Sequence, residues 1–314
     1  LKKILDNYYY DRKFYYLKKY KVSNKIYKNP NFLQIINYLI KIIFRKLFIV
    51  KKINRWNIAL FKGNFINIDH SKSIIGPKSK KYFLADPFLY KYKKDYYVFA
   101  EKFSISKKKG KIVVFKLINN SLEEVGTAIN EKFHLSFPFI FKYKSKIYLV
   151  PDSSSNKDLR VYVAEKFPLK WRLCKVIFKN VNATDTLIYR SNISWNMITN
   201  LNPNNTEDLN SELYLFNSKD PINKNWKTFK NNPILLDASR ARNGGIIQQN
   251  NNIYRVYQKH KFNDYGNSIG IDQLAVIKKD IIIKNLEKKY KLKFLKQIKK
   301  CHHLNSDGKY TVYD

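Results

Sequence analysis

DPFLYKYKKDYYVFAE, running from Asp86 to Glu101, is the stretch whose reading decides the fold, because it recurs. FPFIFKYKSKIYLVPD (Phe137 to Asp152), DTLIYRSNISWNMITN (Asp185 to Asn200) and NGGIIQQNNNIYRVYQ (Asn243 to Gln258) align with it without a gap. Each copy has a short apolar run, a polar turn of four or five residues, an aromatic residue with alternating apolar neighbours, and a polar terminus. Those termini are Glu101, Asp152, Asn200 and Gln258, and a fainter fifth copy, CHHLNSDGKYTVYD, closes with Asp314. Alternation on either side of a polar turn is the pattern of a β-hairpin.

Successive termini lie 51, 48, 58 and 56 residues apart. Hairpins repeating at this period predict an all-β five-bladed β-propeller over residues 56–314, in which each blade buries its faces only against its neighbours. Between the hairpins, GKIVVFKL (Gly110 to Leu117), RVYVAEKF (Arg160 to Phe167) and SELYLFN (Ser211 to Asn217) alternate as outer strands should. A two-sheet sandwich with chance similarity among its hairpins is the competing all-β reading.

A strand going out and a strand returning put the first and last residues of each motif at the same end. With the hairpin innermost in each blade, these residues ring one mouth of a central channel. The ring contains Asp86, Glu101, Asp152, Asp185, Asn200, Arg240, Arg242, Asn243, Arg255, Gln258, His302 and His303. Carboxylates at repeat-equivalent positions suggest a site, although Asp and Asn also cap strands for structural reasons alone. His302 and His303 are adjacent, so a strand points them to opposite faces, and no metal site is expected there.

Residues 1–55 read as a separate helical, basic segment. From Asn31 to Lys52, apolar residues at Phe32, Ile35, Ile36, Leu39, Ile40, Ile43, Phe44, Leu47 and Phe48 make one broad helical face. Lys41, Arg45 and Lys46 interrupt it, which argues against a transmembrane span. Packing on a neighbouring domain, or contact with a membrane surface through 31–52, are both open. The whole chain holds 61 Lys+Arg against 24 Asp+Glu, a formal charge of +37. Lys, Asn, Ile, Tyr and Phe are the residues that A+T-rich codons favour, so much of this charge reads as composition. No Arg-rich helix or zinc finger accompanies it, and specific nucleic-acid binding is not expected. Cys174 and Cys301 are too few for a disulfide framework. The chain starts at Leu1, which reads as a piece of a longer protein; no signal peptide is evident, and a cytoplasmic location peripheral to a membrane is expected.

The ring residues carry a resemblance. ADPFLYKYKKDYYVFAE resembles the first-blade Asp-Pro signature of the arabinanase, levansucrase and invertase superfamily. The series ADPF, FPFIF with YLVPD, TDT, SRARNGG, YRVYQ and HHLN more closely resembles the propeller domain at the N-terminal side of glucosamine inositolphosphorylceramide transferases and of bacterial proteins fused to formyltransferase-like domains. The resemblance covers Trp56 to Asp314. In the hydrolases a first-blade Asp is base or nucleophile, a second Asp positions substrate, and a Glu is the general acid. It therefore implies the first role for Asp86 and the second for Asp185. Where the hydrolases tend to place their acid, this chain has Ser239, Arg240, Ala241 and Arg242, with no carboxylate. Glu101 or Asp152 would have to substitute.

In the transferases, glycosyl transfer belongs to a different, C-terminal domain, so the resemblance also allows a binding platform. On that reading Arg240, Arg242, Asn243, Arg255, Gln258, His302 and His303 bind a sugar bearing an anionic group, since guanidinium pairs bidentately with phosphate or carboxylate. Trp195, Tyr254, Tyr257 and Tyr265 are candidates to stack on a sugar ring. No cofactor is expected. The expected partners are a glycan or sugar phosphate and a fused or neighbouring transferase domain. The alternative is a glycoside hydrolase or transglycosylase-like enzyme using Asp86 and Asp185 with Glu101 or Asp152.

Overall fold

The computed structural model describes residues 29–48, 55–191, 194–202, 208–223, 225–249, 252–261, 264–277, 280–286 and 289–314. The helical expectation for 1–28 and for 49–54 lies outside the described residues. The chain divides into two compact units, Leu1–Asn54 and Arg55–Asp314.

In the first unit, helix α1 spans Phe32–Phe48. Asn31 and Gln34 close its start reciprocally. Gln34 N donates to Asn31 Oδ1 at 2.9 Å, and Asn31 N donates to Gln34 Oε1 at 3.0 Å, which satisfies two backbone donors that a helix start leaves free. Among the described residues no helix is long and apolar enough to cross a membrane.

The second unit is built of strands, because its sequence alternates with period two between short polar turns. Strands β1 (Ala59–Lys62) and β2 (Ile74–Ile75) come first. One antiparallel sheet follows, of β3 (Tyr82–Tyr92), β4 (Asp95–Ser104), β5 (Lys109–Ile118) and β6 (Ser121–Ile129). The next holds β7 (Ser136–Tyr143), β8 (Lys146–Asp152), β9 (Asp158–Lys166) and β10 (Lys170–Lys179). A third has β11 (Asn182–Arg190), β12 (Trp195–Asn202) and β13 (Glu212–Ser218), with β14 (Lys227–Thr228) and β15 (Leu235–Leu236) both on β13.

The remaining strands are β16 (Asn243–Gln249), β17 (Asn252–Lys261), β18 (Asp264–Ile277), β19 (Asp280–Asn285), β20 (Leu304–Ser306) and β21 (Tyr310–Tyr313). They join β1 and β2 in one eight-stranded sheet of order β19-β18-β17-β16-β20-β21-β1-β2. Its β16–β20 pairing, Ile247 with Ser306, is parallel, and β1 returns from the other end of the sequence to pair with β21. Among the described residues no sheet closes on itself as a barrel.

In the sheets β3–β6 and β7–β10 the last strand is the least buried. In β8 every residue after the first is buried, whereas β10 is exposed or half-buried throughout. A strand buried on both faces must be covered on both sides, and aromatic contacts between sheets do this. Phe88 on β3 meets Phe137 and Phe139 on β7 edge to face, at centroid distances of 5.0 and 5.6 Å.

Candidate functional site

The first strand of each repeated hairpin carries a bulge at its start. Pairing shifts between Ala85 and Phe88, between Ser136 and Phe139, and between Thr184 and Leu187. The extra residues, Asp86, Phe137 and Asp185, take left-handed backbone with φ of 52, 45 and 50°. A bulge re-aims one side chain out of the pleat, and here it aims Asp86 and Asp185 along the same end of their sheets. Motif termini lie beside them, with Ala85 opposite Glu101 and Ser136 opposite Asp152.

Asp86 is buried. Its Oδ2 accepts a backbone hydrogen bond from Phe137 N at 3.1 Å, its own N donates to Asp314 Oδ2 at 3.0 Å, and its Oδ1 lies 3.2 Å from His302 Nε2. His302 Nδ1 in turn is 3.1 Å from Asp314 Oδ1, and that oxygen also accepts from His302 N and His303 N. Burial disfavours charge on both Asp86 and His302, but their mutual contact outweighs it, helped at Asp86 by the Phe137 N–H and at His302 by Asp314. Asp86 is held below the usual carboxylate range and His302 well above the usual imidazole range. An imidazolium thus sits between two carboxylates, with its ring against Trp56 at 4.1 Å. One ligand atom each from Asp86, His302 and Asp314 lies within 4.8 Å of the others, so these three could also hold a small cation in place of the imidazolium proton.

Glu101 behaves oppositely. Burial and the charge of Asp86 push its carboxyl well above the usual range. Its neighbour His134, 3.7 Å away, is held below its usual value by burial, so the two face each other as neutral groups. Gly110 packs against this carboxyl, because a Cβ there would lie 2.5 Å from Glu101 Oε1.

Asp185 meets Arg242, with Arg242 Nε donating to its Oδ2 and Gln258 Nε2 donating to the same oxygen at 3.1 Å. Burial pushes Asp185 up to about 7 against the pull of Arg242. Arg242 is 13% exposed at its side chain and lies 5.8 Å from the ring of Tyr265, which is 41% exposed. Asp152 is committed to Ser154 N and to the Thr184 hydroxyl.

The remaining candidates correct the expectation of an open ring of ligand-binding side chains. All five N–H donors of Arg255 go to Asp272, Ala241 O, Asn243 Oδ1 and Arg240 O, leaving none for a ligand. Arg240 binds the same Asp272, so this buried carboxylate of β18 is shared by two guanidinium groups. Asn243 is spent on Asp185 O, Ile198 O, Asn200 Oδ1 and Arg255. Gln258 bridges Asp185 and Asn243 O. His303 points away from His302, into Phe88 and Phe137, with both ring nitrogens lacking a hydrogen-bond partner. Tyr254 and Tyr257 are core, and only Tyr265 and half-buried Trp195 of the four aromatic candidates reach solvent. Asp86 itself is buried rather than open. Asp314 is the residue missed as a site member; its signal was its place as the terminus of the fifth motif copy.

Residues 40–309 match the family described as glucosamine inositolphosphorylceramide transferase 1, N-terminal. The chain belongs to this family. It is 36% identical over 203 residues to the glucosamine inositolphosphorylceramide transferase 1 of Arabidopsis thaliana, covering 63% of this chain and 26% of that protein. It is 35% identical over 169 residues to the protein of that name from Oryza sativa subsp. japonica, covering 52% and 22%. The chain therefore spans about a quarter of the length of these curated relatives. Among solved structures it is similar to a Bombyx mori family-32 β-fructofuranosidase, with a TM-score of 0.52 and 13% identity over 69% of this chain and 53% of that one. It is also similar to a family-117 glycoside hydrolase from Zobellia galactanivorans, with a TM-score of 0.50 and 12% identity over 73% and 75%. At such identity these neighbours speak for the fold alone, which is that of the propeller glycoside hydrolases.

Proposed function

We propose that Arg55–Asp314 is a five-bladed β-propeller that recognises a sugar bearing an anionic group at the end of the channel where Asp86, Asp185 and Arg242 converge. The blade count is supported by the eight-stranded sheet, which divides at its parallel pairing into β16–β19 and a last blade of β20, β21, β1 and β2 drawn from both ends of the sequence. The observation that carries the ligand reading is the Arg242 side chain, which keeps part of its surface exposed while its guanidinium holds Asp185, Asn210 and Thr184, beside an exposed Tyr265 at the edge of a buried charge cluster. A guanidinium takes phosphate and an aromatic face takes a sugar ring. The family description names a sugar attached to inositol phosphate, which has both features.

In this reading the transfer chemistry belongs to a fused or neighbouring transferase domain. The basic stretch 31–52 contacts a membrane surface from the cytoplasmic side. The test is calorimetric titration with a glucosaminyl inositol phosphate and with its phosphate-free analogue. Phosphate-dependent binding that weakens about tenfold in Tyr265→Ala is expected, the usual worth of one good contact. Absence of saturable binding to either compound at about 150 mM salt sinks the reading.

One observation favours an enzyme as the second reading. Asp86 is held ionised while Glu101 is held protonated, and glycoside hydrolysis needs one carboxyl of each kind. Asp86 would be nucleophile or base and Glu101 the acid, with Asp185 and Asp152 tuning them. Glu101→Gln should then abolish glycan turnover while binding persists, as followed by product analysis. Turnover retained in that variant removes Glu101 from the role.

A further inference from the structure

The same strands that carry Asp86 and Asp185 end, five residues later, in cations. Lys91, Lys142 and Arg190 are each the sixth residue of their hairpin motif, with Gln248 in the fourth. Their registers are equivalent, each pairing with the residue five positions on: Tyr96, Ile147, Trp195 and Ile253. Five residues of strand separate the two ends by roughly 16 Å. Here the surface opens into a cavity of ≈ 940 Å³, lined by these four residues over a floor that includes Phe88 and Phe139. Ligand sites of sugar or nucleotide size occupy about 300 to 1,000 Å³.

Two features distinguish this cavity from a solvated lysine surface. Lys91, Lys142 and Arg190 are exposed and, among the described residues, their side chains make neither an ion pair nor a hydrogen bond; Lys91 lies 5.8 Å from the Tyr96 ring. The acid on the lining, Asp307, is turned to the backbone N–H groups of Lys309 and Tyr310. Independently, Tyr189 lines the cavity with its hydroxyl buried and without a hydrogen-bond partner. A buried hydroxyl left unpaired costs stability, and burial keeps this one protonated as a donor.

We propose that this cavity is a second binding site, for a ligand carrying clustered phosphate groups on a body of sugar size. Lys91, Lys142 and Arg190 would take the phosphate oxygens, Gln248 a hydroxyl, and Tyr189 would donate from below. The proposal is independent of the reading given to the Asp86 end. Its ligand could be a free phosphorylated polyol or the headgroup of a phosphoinositide, and the test separates the two.

The full chain is titrated with inositol hexakisphosphate at about 150 mM salt, following the fluorescence of Trp195 on the lining. In parallel it is sedimented with phosphatidylcholine vesicles containing or lacking a bisphosphorylated phosphatidylinositol. Saturable binding is expected in at least one arm: the soluble arm alone identifies a free ligand, the vesicle arm alone a headgroup. Lys91→Gln/Lys142→Gln/Arg190→Gln should weaken it at least about tenfold, the scale of one lost charge-assisted hydrogen bond. Lys132→Gln/Lys166→Gln/Lys179→Gln, which removes the same charge elsewhere, and Tyr265→Ala at the other end should change it less than about twofold. Tyr189→Phe should weaken it about threefold without loss of thermal stability. Equal losses in the ring and control variants, or no saturable binding in either arm, would overturn the proposal.

Discussion

His302 and His303 are neighbours in sequence and opposites in chemistry. His303 lies between the rings of Phe88 and Phe137, and burial lowers it to about 4. In the unfolded chain it takes a proton near pH 6.5, so its contribution to stability is lost as pH falls from about 6.5 to about 4. The loss amounts to about 3 kcal/mol. His303→Leu should remove that part of the acid sensitivity, as read by urea unfolding at pH 4.5 and pH 7. His302 is raised, so the stability it brings is complete below about 6.5 and is lost as pH rises through its folded value. Asp86→Asn keeps a residue that tolerates the left-handed backbone but removes the charge facing His302. The His302 imidazole should then titrate at lower pH by NMR; an unchanged titration would show that Asp314 alone holds its proton.

At the scale of the element, bulges and close approaches set where side chains can go. Gly245 has φ of 126°, and a Cβ there would lie 2.1 Å from Leu304 O, at the parallel junction of β16 with β20. Gly308 has φ of 89°, but its nearest contact would be 3.7 Å away. Gly308→Ala therefore meets backbone strain alone and should cost about 1 kcal/mol. Gly245→Ala meets strain and a backbone clash together and should cost at least about 3 kcal/mol. Chemical denaturation of the two variants checks the ordering, and equal costs would mean that the junction yields easily.

For the whole molecule, the telling contact is that of β1 with β21, which joins residues about 250 apart in sequence. A chain beginning at Arg55 retains every strand of the described residues and should melt cooperatively within a few degrees of the parent. A chain beginning at Pro77 lacks β1 and β2 and would leave β21 with a bare edge and an uncovered core around Tyr313. It should lose cooperative melting by circular dichroism. Folded behaviour of that shorter chain would mean that the last sheet needs no strand from the N-terminal side.

Local periodicity was enough to find the hairpins, because alternation and turn residues are properties of neighbours in sequence. DPFLYKYKKDYYVFAE and its copies became β3–β4, β7–β8, β11–β12 and β16–β17, and the motif ends that were read as adjacent lie side by side, offset from direct pairing by one residue. The repeat also pointed to Asp86, Asp185 and Glu101, which do gather at one end. What it could not supply was their state. Asp86 is charged because His302, more than 200 residues away, faces it; Glu101 is neutral because it is buried beside the charge of Asp86. Arg255 carried the same promise as Arg242 in the sequence, yet one has all its donors tied to protein and the other keeps part of its surface in solvent. Charge and accessibility depend on which distant groups share a low-dielectric space, and only the folded chain decides that.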